Sequence, residues 1–226
     1  EMNAEDQVRF QPVDVSEEPQ VIELMKVAET DFGGLDIVFN NAGIGGAIGS
    51  ILELDVEHWD QTFAVMTRGV FLGIKHAARA MRPHGKGSIV SMSSTAGVMG
   101  GLGPHVYSMA KHGVVGITKS AASELSGLGI RVNAIAPGGT VTAMTAALAG
   151  NDTAAITESI AASSPLGFAC MPEDIANAIL FALSEDSRYM TGHTLVIVAG
   201  ETTGCSPAAS HSEQDLILLH AGQRRF

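Results

Sequence analysis

The sequence predicts a single α/β domain built on a doubly wound, parallel sheet. Short apolar runs alternate with longer stretches of helical period, the pattern of a sheet covered on both faces. No internal repeat and no linker divides the chain before about residue 204. Small and polar residues recur just after the apolar runs, where the loops of such a sheet gather.

Each element follows from a local signal. Val8 to Val15 reads as a strand ending in the turn Asp14-Val15-Ser16. From Gln20 to Phe32, Val21, Leu24, Met25 and Ala28 keep a helical period, and Gly33-Gly34 closes the helix. Leu35-Asp36-Ile37-Val38-Phe39 is a buried strand; Ser88 to Met92, Arg131 to Ala136 and Thr194 to Val198 are three more. Helices are expected near 57–82, 105–127 and 172–184. The last opens on Pro172, Glu173 and Asp174, a proline in the first turn with acids beside the positive helix end. Residues 144–168 interrupt the alternation, and an insertion of that length is expected to be a lid or flap over a site. The domain is expected over 1–204, with a flexible tail over 205–226.

Composition excludes several classes. The chain has 226 residues, 46% of them hydrophobic, with a mean hydropathy of +0.22. Thirteen Lys and Arg against 24 Asp and Glu give a formal charge of −11, which repels phosphate backbones and anionic lipid heads. Neither nucleic acid nor a membrane is therefore an expected partner. No apolar run reaches the roughly 18 residues of a spanning helix. Glu1-Met2-Asn3-Ala4-Glu5-Asp6 is acidic where a signal peptide is basic. Cys170 and Cys205 make no disulfide framework and stand in no metal-ligand spacing, so the expected compartment is the cytoplasm and no metal is expected.

The chemistry-bearing residues converge on one sheet edge. Tyr107 and Lys111 are four apart, one turn apart on a helix face. A phenol is a poor base at neutral pH unless a nearby ammonium stabilises its phenolate. Alone, such a pair is ordinary surface decoration. Ser94, however, stands 13 positions earlier, just beyond the strand ending near Met92. Asn40-Asn41-Ala42-Gly43 follows the strand ending at Phe39. Pro137-Gly138, with Thr140 and Thr142, follows the strand ending at Ala136, and Asp14-Val15 ends the first. Ligands of open α/β sheets bind beyond these carboxyl ends.

With these residues the chain resembles the short-chain dehydrogenase/reductase family, over nearly its whole length to residue 204. The matching pieces are Asn40-Asn41-Ala42-Gly43, Ser94, Tyr107-Ser108-Met109-Ala110-Lys111, and Pro137-Gly138 with Thr142. Gly100-Gly101-Leu102-Gly103-Pro104-His105 looks like the secondary-alcohol branch, which includes enzymes of lignan, xanthoxin and cyclic-terpenoid oxidation. The resemblance implies a Rossmann-like fold and hydride transfer between a nicotinamide cofactor and a secondary alcohol or ketone. It implies Tyr107 as acid or base, Lys111 holding the nicotinamide ribose and depressing the tyrosine pKa, and Ser94 binding the substrate oxygen. Pro137, Gly138, Thr140 and Thr142 would line the nicotinamide end. Asp14 and Val15 would meet the adenine, and Asn40, Asn41, Ala42 and Gly43 its ribose. The helices near 57–82 and 105–127, with Val70, Phe71, Ile74 and Ala78 on one and Val114, Val115, Ile117 and Ala121 on the other, would join subunits into a homodimer or homotetramer.

Two departures stand beside the matches. The glycine fingerprint that cradles a pyrophosphate is missing, and Gly43-Ile44-Gly45-Gly46 precedes no helix start. The chain thus reads as beginning at the end of the family's second strand, and the completeness of the other motifs favours residues preceding Glu1 in the molecule. Glu1 falls where the family places the acid for the adenosine ribose, which favours NAD over NADP. In the strand order 3-2-1-4-5-6, the strand at 8–14 would then lack a neighbour. Second, Met66 occupies the place of a usual asparagine that organises a proton-relay water, and a thioether accepts hydrogen bonds weakly. The alternative to an enzyme is a non-catalytic relative acting as a binding or assembly subunit. His58, His76 and His84 are expected at the surface, and His105 at the border of the cleft. Residues 144–168 carry Met144, Leu148, Ile156, Ile160, Leu166 and Phe168, only Asp152 and Glu158 as charges, and no Lys or Arg. With Met99 and Leu102 they predict an apolar substrate, terpenoid- or steroid-like, since a desolvated anion needs a cationic partner.

Overall fold

Four parallel strands pair in the order they occur along the chain. They are β1 (Ile37–Asn40), β2 (Gly87–Met92), β3 (Ile130–Pro137) and β4 (Thr194–Ile197). The computed structural model describes residues 8–203. The expected tail at 205–226 lies outside them. Each strand sits within one or two residues of its expected position, because each apolar run is long enough to cross the sheet once and is bounded by turn residues.

Helices cover the sheet in two layers. The helices α1 (Glu18–Phe32), α3 (Gly69–Met81) and α4 (His105–Leu125) pack on one face. There Val21, Met25, Leu72, Ile74, Met81, Val114 and Leu125 close over Ile89, Ile130 and Val132. Register explains the layer: Val38 lies opposite Ile89, and Ile89 opposite Val132, so one row of side chains points one way. The alternate row, Val90 and Ile135, meets Ile175 and Ala182 of α7 (Pro172–Leu183) on the other face. Asp174 accepts a hydrogen bond from the Met171 amide at the start of α7, at 2.8 Å. Arg131 of β3 donates to the Ala182, Leu183 and Ser184 carbonyls at its end, tying helix to sheet where the helix carbonyls lack partners.

One expectation is corrected and two are refined. Residues 8–13 form no strand: among the described residues β1 pairs only with β2, and nothing on its other side offers them a ladder. The helix expected near 57–82 is α2 (Val56–Phe63) and α3 joined by a π-helical turn, Ala64–Arg68. Residues 144–168 are largely helical: α5 (Ala143–Ala146) and α6 (Thr153–Ser163), the latter capped by the Asp152 carboxylate on the Ala155 amide.

The turns at the amino ends of β2 and β3 touch. Gly129 has φ +73°, and a Cβ there would strike the Gly85 carbonyl oxygen. Gly129→Ala therefore meets both left-handed strain and a backbone clash, and urea denaturation is expected to show a loss of about 2–4 kcal/mol.

Candidate active site

Met92 ends β2, and Ser93 and Ser94 follow it beneath α4. The Lys111 ammonium, 4% exposed, donates to the Met92 carbonyl at 2.8 Å. The Ser93 hydroxyl donates to the Lys111 carbonyl at 3.0 Å. This double tie is possible because residue 97 is glycine: a Cβ there would stand 2.6 Å from the Lys111 carbonyl oxygen. The Ser94 hydroxyl caps the short turn that follows, accepting from the Ala96 amide at 3.2 Å, and it also hydrogen-bonds the Tyr107 phenol. Tyr107 lies one turn before Lys111, whose Nζ is 5.5 Å from the centre of the phenol ring.

Electrostatics depart from expectation in one respect. Burial pushes the Tyr107 phenol above its ordinary value, while the Ser94 hydrogen bond pulls it down. The second buried group here is the Lys111 ammonium. Its own pKa falls to about 8, because burial disfavours the charged form and no carboxylate balances it.

The expected site residues are brought together with few exceptions. Asn41, Ala42, Gly43, Ser94, Tyr107, Lys111, Pro137, Gly138, Thr140 and Thr142 line one cleft of about 630 Å³. Asn40 and Val15 line a neighbouring cavity of about 190 Å³, which shares Phe39, Asn41 and Ala42 with the cleft. Asn40 donates to Ser91 Oγ at 3.1 Å and so acts within the sheet. Asp14 lines neither cavity; its carboxylate accepts from the amide and hydroxyl of Ser16, which hold its pKa below the ordinary value. The hydroxyls of Thr140 and Thr142 are engaged locally, with the Gly138 carbonyl and the Thr145 amide.

His105 is exposed and does not line the cleft. His76 is buried rather than at the surface, its Nε2 2.8 Å from Glu18 Oε1, and together with Lys75 it ties α3 to α1. Among the described residues no cluster of His, Cys, Asp or Glu could hold a metal. Sequence reasoning missed the Met92 carbonyl, since a main-chain acceptor leaves no residue signature. It also missed Pro172, Ile175 and Ile179 of α7, which wall the cleft from the opposite face.

The residues present fit the nicotinamide end of a dinucleotide. Lys111 Nζ donates to one carbonyl and stands beside Gly43, where a Cβ would lie 3.9 Å away in ordinary contact. Gly43-Ile44-Gly45-Gly46 runs into a loop that reaches Asp55 before a helix begins, so it is no phosphate cradle.

A family model described as "Enoyl-(Acyl carrier protein) reductase" matches residues 1–202. Two plant proteins are similar along most of the chain. The (+)-borneol dehydrogenase 2 of Salvia officinalis is 41% identical over 206 residues, covering 87% of this chain and 72% of that one. Xanthoxin dehydrogenase of Arabidopsis thaliana is 43% identical over 199 residues, covering 84% and 69%. Among solved structures, "ElxO with NADP Bound" has a TM-score of 0.79 at 32% identity, covering 88% of this chain and 80% of that one. The fold, the cleft and these likenesses define a nicotinamide-dependent oxidoreductase, and the chain belongs to the short-chain dehydrogenase/reductase family.

Replacing the buried ammonium gives a test with a definite sign. The folded-state pKa of Lys111, about 8, lies below the ordinary 10.5, so the unfolded chain binds the extra proton between those values. Burying the charge thus destabilises the fold at pH 7, a penalty relieved as pH rises from about 8 to 10.5. Lys111→Met is expected to be more stable than the parent at pH 7 by up to about 3 kcal/mol, with the difference shrinking by pH 10. Urea denaturation at the two pH values measures it.

Proposed function

We propose that the chain carries the catalytic centre of a dehydrogenase acting on apolar, cyclic secondary alcohols, terpenoid- or steroid-like, or on the matching ketones. The observation that carries this reading is the make-up of the cleft. Lys111 is the one charged side chain among its lining residues, and Ile44, Met92, Met144, Ile175 and Ile179 supply its apolar wall. Met99, Leu102, Leu166 and Phe168, on the segments flanking it, are 37–62% exposed. A carboxylate or phosphate substrate would find no free cation there. The names of the two plant relatives, a borneol and a xanthoxin dehydrogenase, support the same class.

In oxidation, the Ser94 hydroxyl holds the alcohol oxygen and the Tyr107 phenolate oxygen takes its proton; the reverse direction returns it. The nicotinamide, when bound, accepts or supplies the hydride at the carbinol carbon. Lys111, pinned by Met92 and Ser93, binds the ribose hydroxyls and biases Tyr107 toward the phenolate once a ligand fills the cleft. Pro137, Gly138, Thr140 and Thr142 flank the nicotinamide; Asn40, Asn41, Ala42, Gly43, Asp14 and Val15 serve the adenosine half.

NAD is the proposed cofactor. That preference rests on Glu1, which lies outside the described residues. The compartment is the cytoplasm, a reading supported by the lack of a disulfide framework; no helix among the described residues is long and apolar enough to cross a membrane. The alternative, a non-catalytic subunit, draws on Met66, which is 1% exposed in the π turn where the family keeps an amide.

Tyr107→Phe decides between them. With NAD and borneol the parent should turn over, and the variant should lose about 10²–10⁴-fold in kcat while remaining folded. Hydroxy acids or sugars oxidised far better than borneol would contradict the substrate class.

The assembly reading adds a further expectation. Most of the apolar residues named on α3 and α4 are buried in the core. Phe71, 47% exposed, and Ile117 nevertheless line a groove of about 330 Å³ between the two helices. Sedimentation at micromolar concentration should show a dimer or tetramer, and Phe71→Glu should shift it toward monomer.

A further inference from the structure

A second cavity, of about 280 Å³, abuts the cleft behind the lid, and Gly138 belongs to the walls of both. Its sides are apolar: Ile160, Leu166 and Phe168 from the lid segment, Ile197 and Val198 from the end of β4. One carboxylate stands at the seam. Glu201 Oε2 lies 3.1 Å from where a Gly138 Cβ would be, so Glu201 reaches directly over that glycine. The chain brings it there by two successive left-handed residues, Ala199 at φ +52° and Gly200 at φ +92°. The alanine holds a conformation that costs a non-glycine residue about 1–2 kcal/mol. Among the described residues, no hydrogen bond or ion pair engages the Glu201 carboxylate. The other carboxylate of the cavity, Asp174, is already occupied by the Met171 amide.

An apolar group filling this annex would displace water from the side of Glu201 that faces it and leave that side of the acceptor unpaired, which is unfavourable. A hydroxyl on the same ligand would satisfy it with a charge-assisted hydrogen bond. We propose that the annex receives the far end of the substrate, and that Glu201 selects molecules carrying a second hydroxyl at that end. The proposal rests on the preceding reading for what occupies the cleft itself.

The test uses borneol and bornane-2,5-diol, with a readout that does not depend on turnover. Cys170 lines the annex, so an occupant should slow its alkylation by iodoacetamide, followed by peptide mass with the Cys205 peptide as reference. The diol is expected to protect Cys170 at a concentration about tenfold or more below that of borneol. Glu201→Leu should erase the difference, and Glu201→Gln should keep part of it, because the amide oxygen still accepts. Glu201 is exposed, so neither variant threatens the fold. The proposal is overturned if neither compound protects Cys170, or if Glu201→Leu leaves the ratio unchanged. Protection as expected, with no hydride transfer to NAD from either alcohol, would sink the dehydrogenase reading while leaving the annex standing.

Discussion

The placement of a single buried ammonium organises this molecule. Lys111 cannot reach the Met92 carbonyl unless α4 lies almost in contact with the end of β2, and that approach requires small residues at the crossing. Gly97, Ala96 and Ala110 supply them, the alanines fully buried and the glycine with no room for a methyl group. Once the helix is seated, Tyr107 and Ser94 are held near each other, since one lies a helical turn from Lys111 and the other adjoins Ser93. The tension is that the fold holds a cation with no carboxylate beside it, so burial pushes the lysine pKa down to about 8. Such tension is what functional sites tend to store.

The parallel sheet explains why the remaining groups arrive at the same place. In a sheet whose strands all run one way, every strand delivers its following loop to one edge. β1 brings Asn41 to Gly43, β2 brings Ser94, and β3 brings Pro137 to Thr142. The helices α4 and α7 then wall this edge from opposite faces, one polar through Tyr107 and Lys111, the other apolar through Ile175 and Ile179. The cleft is therefore two-sided in chemistry as well as in geometry. That division suits a ligand with one reacting hydroxyl on an apolar body.

Segments away from this edge show what happens when the sheet offers no partner. Residues 8–13 have strand-like composition, yet they join no ladder, and Phe10 is 86% exposed. Val15, a few residues on, packs closely over Gly69 and reaches the pocket beside Asn41. The turn at Asp14 to Ser16 keeps its shape through its own hydrogen bonds, so it lines up with the site without a ladder behind it.

The sequence by itself determined the periods, the stops and the residue types that reach the cleft. Apolar runs bounded by turn residues located β1 to β4, and proline with acids located the start of α7. The spacing of Tyr107 and Lys111 put both on one helix face, because four residues make about one turn, while their catalytic roles came from the family resemblance. Only the tertiary structure decided which atoms those residues would meet. The Met92 carbonyl is main chain, common to every residue type, and so invisible in sequence. His76 looked like a surface residue because its partner Glu18 is 58 positions away. The ladder missing from residues 8–13 follows from what lies beside them. Glu201 gained its place over Gly138 through the left-handed turn at Ala199 and Gly200, and an alanine gives no hint of such a conformation. Local periodicity records each segment's preference, whereas burial, pairing and pKa are properties of neighbours that the chain brings together only on folding.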